Sequence, residues 1–240
     1  MDYLLSFPSL VEQKKITKLL NLIDIRISVQ SKVIKDLKKL KGAISQDIFN
    51  RPPLRHIRLS EYIRYGKAGG TLTSTNKEYY NGRIPFLSIN DITKQGKYIS
   101  QTENYLSEAG IKASSAWLVP SGSLILSMYA SVGITTINTI PLATSQAMFS
   151  MILNTTELID YLYYFLCYFK DRLLFRYLET GTQSNINAET VKSIMVPDYG
   201  DNNIKYGRIL STLDKRIDNE SKILTHFYTQ KAFILANLFI

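Results

Sequence analysis

The chain has 240 residues, 45% apolar and 20% charged, a globular composition long enough to bury a real core. Lys and Arg outnumber Asp and Glu by 29 to 20, a net +9 that makes a polyanionic partner plausible without specifying one. A lone cysteine, Cys167 in the aromatic run Tyr161–Phe169, excludes an intrachain disulfide, fits a reducing compartment and reads as a small buried hydrophobe. No basic start followed by an apolar stretch and no apolar run of bilayer length occurs, so a cytoplasmic location without membrane contact is expected.

Phe7-Pro8 is an extended, helix-blocking dipeptide, so residues 1–8 read as a strand-like lead-in. A long helix is expected over residues 9–50, from near Ser9 to a stop at Arg51-Pro52-Pro53. Its seam positions Ile16, Leu20, Ile23, Ile27, Gln30, Ile34, Leu37, Lys41, Ile44 and Ile48 alternate steps of four and three, the period of a coiled coil. Gly42 costs such a helix about 1 kcal/mol.

Residues 51–197 differ in character. Short β-branched or alternating runs, IRLSEYI, IPFLSI, SLILSMY and GITTINTI, are separated by turn residues. No charged residue occurs from Ala113 to Thr156, where Pro120, Gly122, Gly133 and Pro141 divide what reads as consecutive buried strands. Glu157–Glu179 is expected to be a helix, followed by the turn GTQSNIN. Asn187 is placed to cap a short helix over AETVKSI before an exit strand IMVP, and Val196-Pro197 repeats the lead-in dipeptide. Residues 198–240 read as a second long helix, starting near Asn202 and reaching the C-terminus.

The two long helices are copies of one another. An offset of 190 positions aligns them without a gap, matching Leu20 with Leu210, Asp24 with Asp214, Ile27 with Ile217, Ser31 with Ser221, Lys41 with Lys231 and Phe49 with Phe239. The second seam runs Tyr206, Leu210, Leu213, Ile217, Glu220, Leu224, Phe227, Lys231, Ile234 and Leu238, so both polar interruptions recur at matching places. Unrelated amphipathic helices share an apolar face; sharing the interruptions as well marks a duplication.

The usual catalytic signatures do not occur. There is neither a GxxxxGK[ST] loop nor a GxGxxG fingerprint. Arg51-Pro52-Pro53-Leu54 lacks the polar first residue and aromatic last residue of an adenine-methyltransferase tetrapeptide. His56 and His226 lie in a linker and on a long helix, an arrangement that supports neither a metal site nor histidine acid–base chemistry. Carboxylate–x–lysine pieces such as Asp36–Lys38 and Glu220–Lys222 read as solvated helix faces.

Helix, domain and duplicated helix together resemble the specificity subunit of type I restriction–modification systems over essentially the whole chain. LVEQKKITKLLNLIDIRI matches the opening of the family's conserved helical region, with Glu12-Gln13 ahead of a leucine run and Asp24. The middle resembles a target-recognition domain through four ordered segments: Gly69–Ile92, Ser114–Gly133, Ala143–Met148 and Gly181–Pro197. Leu72 stands where the family often has proline, and Ser145 where asparagine often precedes glutamine. Full-length members carry two recognition domains, so this chain resembles a half-length form. The resemblance implies an α+β fold: one target-recognition domain with a twisted, mainly antiparallel sheet, flanked by two long α-helices in an antiparallel coiled coil. It implies no catalysis by the chain itself. It implies reading of one half of a bipartite double-stranded DNA target and carriage of methyltransferase subunits, with the restriction subunit attached through them. S-adenosylmethionine, ATP and Mg²⁺ would sit on those partners, and the chain itself would hold no cofactor or metal. A homodimer, or pairing with another half-length subunit, would supply the second half-site.

Within that frame the offset sets an inter-helix expectation. If Asp24 meets Lys231, the repeat requires Lys41 to meet Asp214, fixing register more than stability. Base reading needs amides, hydroxyls and basic groups on loops, and three loops supply them. The first offers Lys67, Thr73, Ser74, Thr75, Asn76, Lys77, Tyr79 and Tyr80; the second Ser127, Tyr129 and Ser131; the third Arg176, Gln183, Ser184 and Asn185. Gln183 and Asn185 are the foremost base-edge candidates, whereas Tyr79 and Tyr80 suit core packing somewhat better than DNA contact. Two other readings are a coiled-coil dimerisation protein that reads no DNA, and a fragment of a larger restriction–methylation enzyme.

Overall fold

The structure, a computed structural model, describes residues 8–72, 76–129, 131–177 and 185–237. Helix α1 spans Leu10–Asn50. It starts in a capping box: the Glu12 carboxylate accepts from the Ser9 backbone N–H at 2.8 Å, and the Ser9 hydroxyl accepts from the Glu12 N–H at 3.4 Å. Strand β1 (Arg55–Arg58), a single helical turn α2 (Leu59–Tyr62) and β2 (Ile63–Ala68) follow. Then come β3 (Tyr80–Leu87), α3 (Ile89–Gln95), β4 (Tyr98–Ile99), β5 (Asn104–Leu106) and α4 (Glu108–Lys112). Strands β6 (Leu124–Ser127), β7 (Thr135–Asn138), β8 (Ala143–Thr144) and β9 (Met148–Leu153) precede α5 (Ile159–Arg172). Helix α6 (Ala188–Ser193), capped by the Asn187 side chain, leads to β10 (Met195–Asp198) and α7 (Asn202–Asn237). The lead-in residues 1–7 and the last residues 238–240 lie outside the described residues.

The chain forms two compact units, one from Ser45 to Leu210 and one made of the residues up to Ile44 together with those from Ser211. In the helical unit α1 and α7 run antiparallel. Every described seam position is buried or half-buried, including Ile23, Ile34 and Ile217. Lys41 Nζ lies 2.5 Å from Asp214 Oδ1 and Lys231 Nζ 2.5 Å from Asp24 Oδ1. The polar seam residues Gln30 and Glu220 meet each other: Gln30 Nε2 donates to Glu220 Oε2 at 2.5 Å and to its carbonyl at 3.0 Å. These are equivalent positions of the repeat, so an internal two-fold axis passes between them and exchanges the two ion pairs. Arg216 completes the shell around the buried carboxylate at 2.6 Å. A buried carboxylate left short of a donor carries its full desolvation cost. Gln30→Leu is therefore expected to cost about 1–3 kcal/mol, and Gln30→Leu with Glu220→Leu to recover most of it. Urea denaturation of both single variants and the double variant measures the coupling.

The other unit is α+β and mainly antiparallel. A five-stranded sheet has the order β2-β9-β6-β7-β4, in which only the β4–β7 pair is parallel. Its strands β6 and β7 are buried throughout, as the uncharged stretch implied. One core cluster holds Leu87, Ile92, Ile99, Val119, Ile125, Leu142 and Met148. A three-stranded sheet, β5-β3-β8, encloses a smaller one around Leu72, Leu106 and Ala143. Helix α5 lies beside β7 and buries Tyr161, Leu162, Phe165, Leu166 and Phe169. Lys97 reaches from the turn before β4 to Asp160 on α5 at 2.6 Å and to the Tyr164 hydroxyl at 3.0 Å, fastening the sheet edge to the helix.

Two elements differ from the sequence reading. IRLSEYI is no single strand: β1 pairs with β10, and the chain turns through α2 to enter the larger sheet as β2. Fully buried Leu59, whose N–H donates to the Ile194 carbonyl at 2.8 Å, anchors that turn. The helix expected over Glu157–Glu179 is regular only over Ile159–Arg172. Leu173 leaves helical geometry at φ −123°, and a 3₁₀ turn over Leu174–Arg176 follows. Cys167 is half-buried and reduced. Asp198 ends β10 and is buried. Burial raises its pKa, but Arg55 at 2.9 Å, the Gly200 N–H at 3.0 Å and Asn203 at 2.7 Å together hold it below the ordinary carboxylate value.

Candidate nucleic-acid interface

Chain segments far apart in sequence are brought to one end of the five-stranded sheet by backbone hydrogen bonds. Strand β2 ends at Ala68, and Gly69 N–H donates to the Met148 carbonyl at 3.1 Å while Gly70 N–H donates to that of Thr144 at 3.1 Å. The β8–β9 turn is tied in turn to the β6–β7 loop, because Met128 N–H donates to the Ala147 carbonyl at 2.7 Å. That loop receives the segment before α6, where Ile186 N–H donates to the Met128 carbonyl at 3.1 Å. Lys170 and Leu174, at the end of α5, pack against Gly133 at the far side of the same loop. The result is a rim made of Lys67–Gly70, the turn Ser145–Ala147, Tyr129 with Ser131–Gly133, Asn185–Asn187, and the end of α5.

Along Lys67–Gly70, Tyr129, Ser131–Gly133 and Ser145–Ala147 the rim carries amides, hydroxyls and a cation without carboxylates; Asp171 stands 3.5 Å from Lys170 at the end of α5, and Glu179 belongs to the Arg176–Asn187 loop. No Asp or Glu occurs between Glu61 and Glu78 or from Ala113 to Thr156. Such a surface suits phosphates, and its amides match base edges. Lys67 is exposed on β2 opposite Ser150. Tyr129 is 37% exposed. Ser131 is exposed at φ 71°, a left-handed conformation that a non-glycine residue holds only when its surroundings impose it. Asn185 is half-buried beside Ile186, and Arg176 is exposed, its guanidinium 5.5 Å from the Phe175 ring centre.

Not every candidate lies on that rim. Ser127 is fully buried in β6, and its hydroxyl donates to the Tyr129 carbonyl at 2.6 Å; it braces the loop from within and is not a surface residue. Asn76 caps a 3₁₀ turn over Lys77–Tyr79 by accepting from the Glu78 N–H at 3.0 Å, and Lys77 is exposed. Tyr79 and Tyr80 are half-buried against the Leu72–Leu106 cluster, where they pack as core residues. Thr73, Ser74, Thr75, Gln183 and Ser184 lie outside the described residues. Sequence reading passed over Gln146 and Lys170. The first sits inside ATSQAM, which was noticed as a segment but not for its exposed amide; the second is concealed on a helix until the fold sets it beside Gly133. No group of His, Cys, Asp or Glu able to hold a metal occurs among the described residues, and no described helix is long and apolar enough to cross a membrane.

The family model of the type I restriction modification DNA specificity domain matches residues 57–226. The chain belongs to this family. It is 30% identical over 162 residues to the specificity subunit of the type I restriction enzyme MjaIX of Methanocaldococcus jannaschii, a match covering 65% of this chain and 37% of that protein. It is 30% identical over 166 residues to the specificity subunit of the type I restriction enzyme HindI of Haemophilus influenzae, covering 65% of this chain and 35% of that one. The chain thus spans little more than a third of the length of these relatives. Solved structures agree in fold. The HsdS subunit from Thermoanaerobacter tengcongensis superposes with a TM-score of 0.64 at 16% identity, over 98% of this chain and 60% of that one. The type I S subunit from M. genitalium gives 0.63 at 17% identity, over 97% and 62%. The family match begins in β1 at Ile57, runs through the Ser45–Leu210 unit and ends within α7 at His226.

Proposed function

We propose that this chain is the non-catalytic, DNA-reading part of a type I restriction–modification assembly. It reads one half of a bipartite double-stranded target and carries methyltransferase subunits, through which the restriction subunit joins. The observation that carries this reading is the rim: four segments of a specificity-domain chain, tied together by backbone hydrogen bonds, that present Lys67, Tyr129, Ser131 and Asn185, the first three from segments free of carboxylates. Arg176 and Lys170 stand beside it as phosphate-binding groups. Chemistry belongs to the partners, which hold S-adenosylmethionine, ATP and Mg²⁺; this chain contributes position and sequence discrimination in the cytoplasm. One specificity domain reads one half-site, so a second copy, or another half-length subunit, completes the target, and a homodimer demands a palindromic, interrupted site.

Solution mass measured for the chain alone and with a cognate methyltransferase subunit, followed by methylome sequencing of cells expressing both, tests the reading. A dimer directing methylation to one interrupted palindrome is the expected result. A chain that recruits no methyltransferase, marks no motif and shows no salt-dependent DNA affinity overturns it, and leaves the coiled-coil dimerisation protein as the surviving alternative.

A further inference from the structure

Helix α1 carries a second apolar stripe that its pairing with α7 leaves uncovered. Leu19, Leu22, Val29, Val33 and Leu40 are between 38% and 57% exposed. Each stands one residue before a seam position, which turns the stripe by about 100° around the helix from the seam. With Arg26, Asp36 and Ala43 they alternate steps of three and four, the coiled-coil period, over about 36 Å of helix. Arg26 and Asp36 are the only charges in the stripe; both are exposed and, among the described residues, neither is in an ion pair. The repeat does not keep this face. At the equivalent positions α7 holds Thr212 for Leu22, Asn219 for Val29, His226 for Asp36 and Gln230 for Leu40. The duplicated helices share their seam, so an apolar flank on one copy alone points to a contact that α1 makes by itself.

The stripe is a palindrome in chemistry. Positions whose numbers sum to 62 pair Leu19 with Ala43, Leu22 with Leu40, Arg26 with Asp36 and Val29 with Val33. We infer that this face is the interface with a second copy of the chain, α1 packed antiparallel on α1; the inference rests on the reading above that a second copy completes the target. Antiparallel coiled-coil layers set residues of constant sum against each other, about a two-fold axis at residue 31, half that sum. The three apolar pairs and the one charged pair therefore each occur twice, and Arg26 meets the partner's Asp36 at both places. Parallel packing in register would instead set Arg26 against the partner's Arg26 and Asp36 against the partner's Asp36, like charges that oppose it. Asp36 is the sole carboxylate between Asp24 and Asp47. An acidic helix of another protein would answer Arg26 but not Asp36, whereas a second copy answers both. The new axis falls one residue from Gln30, where the internal two-fold passes, so the two helix pairs share one centre.

Sedimentation equilibrium of the full chain is the test, applied to the unaltered protein, Arg26→Asp, Asp36→Arg, the double variant and an equimolar mixture of the two single variants. The unaltered chain is expected to dimerise. Each single variant is expected to weaken the dimer by about tenfold or more, because it sets like charges against each other at both places. The double variant and the mixture are both expected to dimerise again, since exchanging the two charges, or dividing them between two chains, restores opposite signs. Recovery by recombining exposed charges separates a lost contact from a folding defect. Single variants that dimerise as well as the unaltered chain overturn the inference, and so does an unaltered chain that stays monomeric. Single variants that lose the methyltransferase subunit without a change in the mass of the chain alone also overturn it and assign the face to that partner. Methylome sequencing of cells expressing the unaltered chain with its methyltransferase subunit reads the proposed function separately. A marked motif keeps that function whatever the mass, and no motif removes it while leaving a charge-dependent dimer in place.

Discussion

Gly69→Ala is expected to destabilise the specificity-domain unit by about 3–5 kcal/mol, one of the largest effects available to a single methyl group in this chain. The added Cβ would lie 1.9 Å from the Thr144 carbonyl oxygen, 2.4 Å from its carbon and 2.5 Å from the Ser145 oxygen. All three are backbone atoms of a turn braced on several sides, so no side chain can swing away to make room. Relief requires the end of β2 to draw back, which breaks the Gly69–Met148 and Gly70–Thr144 hydrogen bonds, at about 1 kcal/mol or more each. Gly42→Ala is the counterpart. Nothing lies within 4 Å of a Cβ at that helical position, so the same substitution is expected to stabilise by about 0.5–1 kcal/mol. Denaturation midpoints of the two variants moving in opposite directions by these amounts are the expected result; equal shifts would contradict the close approach at Gly69.

Phe49→Ala is expected to cost about 3–5 kcal/mol. Phe49 is 8% exposed at the end of α1 and sits in an aromatic nest, its ring centre 5.9 Å from Tyr161, 5.6 Å from Phe165 and 5.2 Å from Tyr168. Removing it empties a cavity walled by rigid rings, and those rings cannot collapse inward without giving up their own contacts. The Tyr199 hydroxyl, which donates to the Ile48 carbonyl at 2.8 Å, and the Tyr168 hydroxyl, which donates to Asn50 at 2.7 Å, would then hold the last helical turn alone. Loss of that turn frees its backbone N–H groups, so Phe49→Ala is expected to accelerate hydrogen exchange at the amides of residues 48–50. Phe49→Leu keeps most of the volume and is expected to cost less than about 1.5 kcal/mol. An unchanged exchange rate in Phe49→Ala would show that the nest does not secure the helix end.

Helices were legible because their signal is periodic and long. The seam from Ile16 to Ile48 repeats often enough to outweigh Gly42 and two polar residues, and the offset of 190 dictates that Lys41–Asp214 brings Lys231–Asp24 with it. Asn187 was equally legible, since an asparagine followed by Ala-Glu-Thr is a cap with a local mechanism. Leu59 was not: a buried leucine satisfies a strand pattern and a helical turn alike, and only the hydrogen bond to Ile194 distinguishes them. Leu173 and Leu174 likewise continue an apolar helix in sequence, while the structure uses Leu174 against Gly133.

The candidate site was legible by residue type and illegible by place. Loops rich in Ser, Thr, Asn and Tyr announce themselves, but the alternation that buries Ser127 and exposes Tyr129 depends on where β6 ends. The rim depends on contacts between residues dozens of positions apart, such as Gly69 with Met148 and Met128 with Ile186. A glutamine within ATSQAM carries no local mark of exposure until β8 and β9 fix the turn around it.

The meeting of Gln30 with Glu220 gives the helix pair the character of a graduated rod. A slip by one heptad would slide the helices about 10 Å past each other. It would set Gln30 against Phe227 or Leu213 and Glu220 against Leu37 or Ile23, burying an amide and a carboxylate among hydrocarbons. The polar contact on the axis, together with the two ion pairs that the axis exchanges, therefore guards the rod against the smallest slip its apolar seam would otherwise tolerate.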